Sequence, residues 1–298
     1  MSRRLTDFHG LRLYGLDCTL HSPQPLTLQG YYGGAARGLL GRALFLGNCV
    51  YPEPRCAECA LRSGCPYPQV FKPHLLPGEE ARLPPYLLHA WQRLPEGLRF
   101  SLLLLNPALG FAENWLRQLD RFLPELEVSG QYGVRLSQVR DLASGQMAFH
   151  AGRFIPGARL NPLQPSLPAS ERLTVQWLTP LVSKHQHTDP LWGALRTRLQ
   201  RLVNAYGDGQ PIAPPDTTPW RLEAVRLQPQ TVVQGCDSRR GIRGLRGELE
   251  LADLTPLGAR LLAVGSYLHA GGEATLGFGR YRWRAVGASA ASPTEPQS

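Results

Sequence analysis

Long apolar runs are missing from this chain of 298 residues. No apolar run is longer than four residues, as in Leu102–Leu105, whereas a membrane-spanning helix needs about 20. The basic start at residues 1–8 is not followed by an apolar stretch, so we expect no signal peptide. From these absences we expect a cytoplasmic protein without a membrane partner.

Lysine is also scarce, because Lys72 and Lys184 are the only two in the sequence. The formal net charge is nevertheless +9, so nearly all of the positive charge is arginine. The planar guanidinium suits two-pronged contacts with phosphate and stacking on bases. A GC-rich genome produces the same bias, so the composition is compatible with a nucleic-acid partner without establishing one.

The segment from Ser266 to Arg282 combines four glycines with a histidine, a threonine and two arginines. Glycine lets a phosphate approach backbone N–H groups, and it adopts the positive φ angles that turn successive N–H groups inward. The segment lacks the Lys-Ser/Thr ending of a nucleotide P-loop, and it precedes a strand-like run instead of a helix. It therefore predicts a loop that holds the backbone of a polyanion.

A second basic cluster, Ser238–Gly247, interleaves four arginines with glycines. We expect these arginines on a turn between two strands, where they would contact phosphates and make binding dependent on salt. A solvated hairpin is the competing interpretation. It is less attractive because four arginines with only Asp237 and Glu248 nearby would repel one another.

Hydrophobic periodicity predicts the order β-α-β-β-α-β in each half of the chain. This order builds an α+β fold of two tandem ferredoxin-like (RRM-like) domains. We expect a first domain at 1–151 with a cysteine-rich insert at about 48–75, a linker at 152–170, a second domain at 171–287 with a glycine-rich loop near its end, and a disordered tail at 288–298.

Four of the six cysteines lie within seventeen residues, with the spacing C-x6-C-x2-C-x5-C. These four are Cys49, Cys56, Cys59 and Cys65. A Cys-x2-Cys pair directs two thiolates at one metal, and two further cysteines complete a tetrahedral site. We expect structural zinc, with an iron–sulfur cluster as the alternative. Free cysteines in a loop without metal remain a third possibility.

Several motifs, taken in this order along the chain, resemble those of the repeat-associated (RAMP) superfamily. The chain is most similar there to the CRISPR precursor-RNA processing endoribonuclease, with a cysteine-cluster insert. The motifs are Ala36–Ala43 before the cysteines, Leu178–Leu181, Ser238–Gly247, and Gly271–Tyr281 after the helical Leu257–Leu268.

The resemblance implies cleavage of CRISPR repeat RNA without metal. The 2′-hydroxyl would attack the adjacent phosphate, leaving a 2′,3′-cyclic phosphate and a 5′-hydroxyl. It also implies a repeat stem-loop as substrate, retention of the processed guide RNA, and other CRISPR effector subunits as partners. A non-catalytic RAMP subunit that holds guide RNA is the alternative, and a zinc-dependent transcription or adaptor protein is a third class.

The family often carries a histidine on its first helix, but the predicted helix Tyr31–Leu46 contains neither histidine nor lysine. We therefore expect His269, at the start of the glycine-rich loop, to transfer protons with Tyr31 and Arg42. The expected RNA-binding residues are Arg37, Arg239, Arg240, Arg243, Arg246, Gly271, Gly272, Thr275, Gly277, Gly279 and Arg280.

Overall fold

The chain divides into two compact units. The computed structural model describes residues 10–26, 30–79, 82–183, 189–208, 217–234 and 237–286. An N-terminal unit comprises Leu11–Leu163, and a C-terminal unit contains most of the described residues from Gln164 onward. No helix in these ranges is both long and apolar enough to cross a membrane.

The N-terminal unit is a ferredoxin-like sheet extended by two short strands. Its antiparallel strand order is β2-β3-β1-β4-β5-β6, and the first four strands have the ferredoxin-like order. In chain order the elements are β1 (Leu13–His21), α1 (Gly33–Asn48), β2 (Tyr86–Leu94), β3 (Gly97–Leu105), α2 (Asn106–Leu109), α3 (Ala112–Phe122), β4 (Arg135–Asp141), β5 (Met147–His150) and β6 (Arg153–Phe154).

The C-terminal unit repeats the pattern, with strand order β10-β7-β9-β8. Its helices begin at side-chain caps followed by proline. Asp189 accepts hydrogen bonds from the N–H groups of Leu191 and Trp192, and Thr255 accepts one from Gly258. The elements are β7 (Leu173–Trp177), α4 (Pro190–Tyr206), β8 (Arg221–Gln234), β9 (Asp237–Ala252), α5 (Pro256–Leu268) and β10 (Tyr281–Ala285).

The predicted tandem α+β fold is confirmed, although some boundaries differ. Part of the expected linker belongs to the N-terminal unit, because residues 153–154 form β6 and the N–H of Leu163 donates to the carbonyl of Leu13. Strand β9 begins ten residues before the predicted Gly247, so the arginine cluster lies on a strand and not on a turn. The predicted tail at 288–298 lies outside the described residues.

Helices α1 and α3 pack together in the core of the N-terminal unit. The indole N–H of Trp115 on α3 donates to the carbonyl of Leu40 on α1 at 3.1 Å. A single π-helical turn, Tyr67–Phe71, follows the cysteines, and Phe71 packs directly on α1 at Gly41. A Cβ atom at Gly41 would overlap the Phe71 ring. The cysteine-rich insert is therefore attached to α1 through the Phe71 ring, which packs on the backbone of Gly41 where no Cβ atom is present.

The substitution Gly41→Ala tests this attachment. Because the added methyl would displace the buried Phe71 ring, we expect a loss of about 1–3 kcal/mol in the free energy of unfolding, measured by chemical denaturation. Gly38→Ala on the same helix is the matched control, since Gly38 is exposed and nothing lies near its Cβ position. It should leave stability unchanged or raise it by up to about 1 kcal/mol. Equal effects of the two substitutions would contradict the packing described here.

Candidate nucleic-acid interface

Three motifs that are far apart in the sequence meet in the C-terminal unit. A bridging segment, Leu178–Val182, lies between them. On one side, Leu181 exchanges backbone hydrogen bonds of 2.8 and 2.9 Å with Leu245 of β9. On its other side, the carbonyl oxygens of Pro180 and Val182 accept hydrogen bonds from Gly279 and Gly272 of the glycine-rich loop. The bridging segment therefore joins the arginine-bearing strand to the loop.

The glycine-rich loop uses its backbone N–H groups to bond to protein. Gly272 donates to Val182, Gly277 to Ala274, and Gly279 to Pro180. These three N–H groups are therefore occupied by bonds to protein, and the expected contact of Gly272, Gly277 and Gly279 with RNA remains a prediction. Gly271 and Thr275 are half-buried, and their expected contact with RNA remains a prediction.

The loop requires glycine because its backbone passes close to neighbouring backbone. Gly279 has φ +75°, and a Cβ atom there would overlap the carbonyl oxygen of Ala270. Gly271 has φ +78° and lies against the carbonyl of Val182. Both features exclude an ordinary L-residue. The glycine pattern therefore serves tight packing on the bridging segment.

His269 is fully buried beneath this loop. Helix α5 ends at Leu268, and His269 adopts φ 61°; its Nδ1 lies 3.0 Å from the carbonyl oxygen of Phe278. The buried Arg198 donates through Nε to the carbonyl of Leu268 at 2.6 Å, and burial lowers its pKa to about 10. The burial of His269 and its contact with Phe278 indicate that this residue orders the loop. Its predicted part in proton transfer would require exposure to RNA.

Tyr31 and Arg42 belong to the N-terminal unit, whereas His269 belongs to the C-terminal unit. Helix α1 begins at Gly33, so Tyr31 precedes the helix that carries Arg42, whereas the sequence predicted that the helix begins at Tyr31. Arg42 is exposed, and its guanidinium carbon lies 5.9 Å from the centroid of the Phe45 ring. The roles of both residues remain predictions.

Exposed arginines line the first part of β9. Arg243 and Arg246 flank Leu245 and are both exposed. Arg239 and Arg240 lie on the same strand, and their side chains are outside the described part of the structure. Arg280 donates its N–H to the hydroxyl of Thr179 at 2.8 Å. The C-terminal unit thus presents positive charge beside the bridging segment.

The four cysteines of the insert surround one small cavity. Cys49, Cys56, Cys59 and Cys65 are free thiols that line a volume of about 20 Å³. Burial, followed by the negative charge of the neighbouring thiolates, raises the pKa of Cys56. As the side chains are placed, no three Cys, His, Asp or Glu residues in the described ranges form a group that could hold a metal ion.

Arg37 occupies an aromatic environment on α1. Its guanidinium carbon lies 4.8 Å from the centroid of Phe71, and the side chain is half-buried. Its charge also acts on the buried Tyr86, whose pKa is raised by burial and partly lowered by Arg37. The position links Arg37 to the π-helical turn, and its expected contact with RNA remains a prediction.

Sequence reasoning assigned no role to His74, which lies near the end of the cysteine-rich insert. His74 is exposed on the short 3₁₀ turn Pro73–Leu75. Partial burial lowers its pKa, and the positive charges of Lys72 and Arg37 lower it further. Of these two cations, Lys72 is two residues away in the sequence, whereas Arg37 lies on α1 and acts on His74 only through folding. Proximity of Lys72 in sequence was the one available signal.

The tandem ferredoxin-like fold of this chain is that of the Cas6 proteins. The AF_1859_N family, an N-terminal domain, matches residues 11–157. Thermus thermophilus Cas6, solved as a product complex, superposes with a TM-score of 0.52 and 20% identity, over 92% of this chain and 99% of that one. A partial Cas6-RT-Cas1–Cas2 complex gives 0.54 and 13% identity, over 94% of this chain and 47% of that one.

Sequence similarity also extends over nearly the full length of one archaeal protein. An uncharacterized protein of Archaeoglobus fulgidus is 24% identical over 288 residues, which cover 92% of this chain and 98% of the relative. The structural similarity to Thermus thermophilus Cas6 confirms, for the fold, the resemblance inferred from scattered motifs.

Gly279→Ala tests the structural role of the glycine-rich loop. A left-handed φ and the overlap with Ala270 should together cost about 2 kcal/mol or more in the free energy of unfolding. Gly272→Ala provides the comparison, because its nearest neighbours, the carbonyl oxygen and Cγ1 of Val182, lie at 3.6 and 3.7 Å. Thermal denaturation should separate the two variants. A Gly279→Ala protein as stable as Gly272→Ala would show that the loop is not packed as described.

Proposed function

We propose that this protein binds CRISPR repeat RNA and cleaves it to produce guide RNA. The observation that carries the proposal is the meeting of the β9 arginine strand, the bridging segment and the glycine-rich loop in one unit. Arginines beside a neutral, tightly packed backbone surface suit contact with the phosphates of an RNA stem. The fold similarity to a Cas6 product complex over nearly all of both chains supports the same substrate class.

The proposed cleavage needs no metal ion. The 2′-hydroxyl of the nucleotide before the scissile bond attacks phosphorus, and the 5′-oxygen leaves. The products are a 2′,3′-cyclic phosphate and a 5′-hydroxyl. Such a step requires a base, a proton for the leaving oxygen, and positive charge beside the phosphorane. The processed stem would then remain bound through the same arginines.

The test is incubation of the purified protein with labelled repeat stem-loop RNA in EDTA. We expect one cut per repeat, with a cyclic phosphate end that acid treatment opens. An otherwise identical RNA with a 2′-deoxy nucleotide at the scissile position should bind and stay intact, because it lacks the nucleophile. Cleavage that stops in EDTA would contradict the proposal.

A non-catalytic RAMP subunit is the second candidate, and two observations favour it. Helix α1 contains no histidine, and His269 is buried. Such a subunit would bind the intact and the 2′-deoxy RNA equally and cut neither. A denaturing gel that detects cleavage of the intact RNA, run beside a gel-shift assay that detects binding, therefore separates the two candidates, and other effector subunits would be sought as partners only in the second case.

We further infer that the four cysteines of the insert hold one structural metal ion. Three features support this inference. The four cysteines line one cavity, their sulfur atoms are soft donors, and the loop between them has few buried apolar side chains. Zinc is the first choice and an iron–sulfur cluster the alternative. The group would stabilise the insert and take no part in cleavage.

Replacing Cys56 and Cys59 with serine should remove the metal and lower the melting temperature, because the insert has little core of its own. Elemental analysis and absorption spectroscopy would measure the metal and distinguish zinc from an iron–sulfur cluster. Cys236→Ser, outside the insert and outside the described residues, is the control and should keep its metal. Unmodified protein that contains neither zinc nor iron would remove the inference.

A further inference from the structure

One arginine of the cysteine-rich insert is hydrogen-bonded to several parts of the cysteine cluster. The guanidinium Nη1 of Arg62 donates to the carbonyl oxygen of Ala57 at 2.6 Å, and the N–H of Arg62 donates to the carbonyl of Cys59 at 3.2 Å. The carbonyl of Arg62 accepts a hydrogen bond of 3.0 Å from the side-chain amide of Gln69. Its backbone is therefore bonded on both sides, and the side chain extends from a fixed position.

The guanidinium bond closes the turn between two of the cysteines. Ala57 directly follows Cys56, and the N–H of Cys59 donates to the carbonyl of Cys56 at 3.4 Å. A Cys-x2-Cys pair directs both sulfur atoms at one ion when the backbone between them holds such a turn. The guanidinium of Arg62 fastens the middle of this turn to the residues that follow it.

Gln69 connects Arg62 to a third cysteine. It lies on the π-helical turn Tyr67–Phe71, and its N–H donates to the carbonyl of Cys65 at 3.2 Å. The same turn packs on α1 through its aromatic ring. Arg62 and Gln69 together therefore link the turn at residues 56–59 to Cys65 and to a segment that is fixed on the core of the N-terminal unit.

The neighbouring Arg55 differs from Arg62 in this respect. Both arginines line the cavity that the four thiols share. For the side chain of Arg55, however, no hydrogen bond or ion pair occurs within the described ranges. The two residues carry the same charge beside the same cavity, so only the hydrogen bonds distinguish them.

We propose that Arg62 is a positioning residue of the metal site, which holds Cys56, Cys59 and Cys65 in the arrangement that binds one ion. This role depends on the metal ion inferred for the four cysteines. A guanidinium has only N–H donors and offers no electron pair to a metal, so Arg62 acts through the backbone that carries the ligands. Groups that orient metal ligands typically contribute about 10- to 100-fold to metal affinity.

Arg62→Ala should lower the affinity of the metal-free protein for zinc by about 10- to 100-fold, because the turn between two ligands is no longer held. Competition between the full chain and a chromophoric chelator measures this affinity. Arg55→Ala is the matched control, since it removes the same charge from the same cavity without removing a hydrogen bond, and it should bind zinc as the unmodified protein does. Arg62→Lys keeps a donor for the Ala57 carbonyl and should recover much of the affinity.

Two further measurements separate positioning from a general loss of structure. Gln69→Ala removes the bond to the carbonyl of Arg62 and should also weaken zinc binding, although its own N–H can still bond to Cys65. Arg62→Ala loaded with cobalt should keep the absorption spectrum of a site with four thiolates, because no ligand has been removed. An unfolded insert would lose that spectrum.

The outcomes distinguish the role of Arg62 from the metal site itself. If Arg62→Ala binds zinc as tightly as Arg55→Ala does, the role of Arg62 is overturned and the metal site stands. Equal losses of affinity in Arg62→Ala and Arg62→Lys, or a cobalt spectrum with fewer than four thiolates, would also overturn it. Unmodified protein that binds neither zinc nor cobalt would overturn both. None of these measurements uses RNA, so they are independent of the proposed cleavage.

Discussion

Both units depend on close contacts to the backbone that leave no room for a Cβ atom and therefore require glycine. In the N-terminal unit, Gly41 lets the Phe71 ring rest on α1 and so attaches the cysteine insert and the turn after it. In the C-terminal unit, Gly279 lets the glycine-rich loop pack against Ala270. Each contact fixes the backbone of its own unit without contributing a functional side chain itself.

The glycine-rich loop shows how one sequence pattern supports two interpretations. Glycines, a histidine and arginines in one segment are typical of a phosphate site. Here three of the glycine N–H groups bond to protein, and the histidine is buried against Phe278. The pattern instead secures the bridging segment beside β9, where Arg243 and Arg246 remain exposed. The glycine backbone therefore serves packing, whereas the exposed arginine side chains on β9 are free of that packing role.

The sequence by itself determined the element order of both halves, because the period of apolar residues in helices and strands is a local property. The order of the motifs also indicated the Cas6-type fold. The spacing of the cysteines located the cluster at residues 49–65. Only the tertiary structure decided that the arginines lie along β9 and that His269 is buried. Burial and electrostatic environment depend on residues distant in sequence, so no local pattern could reveal them.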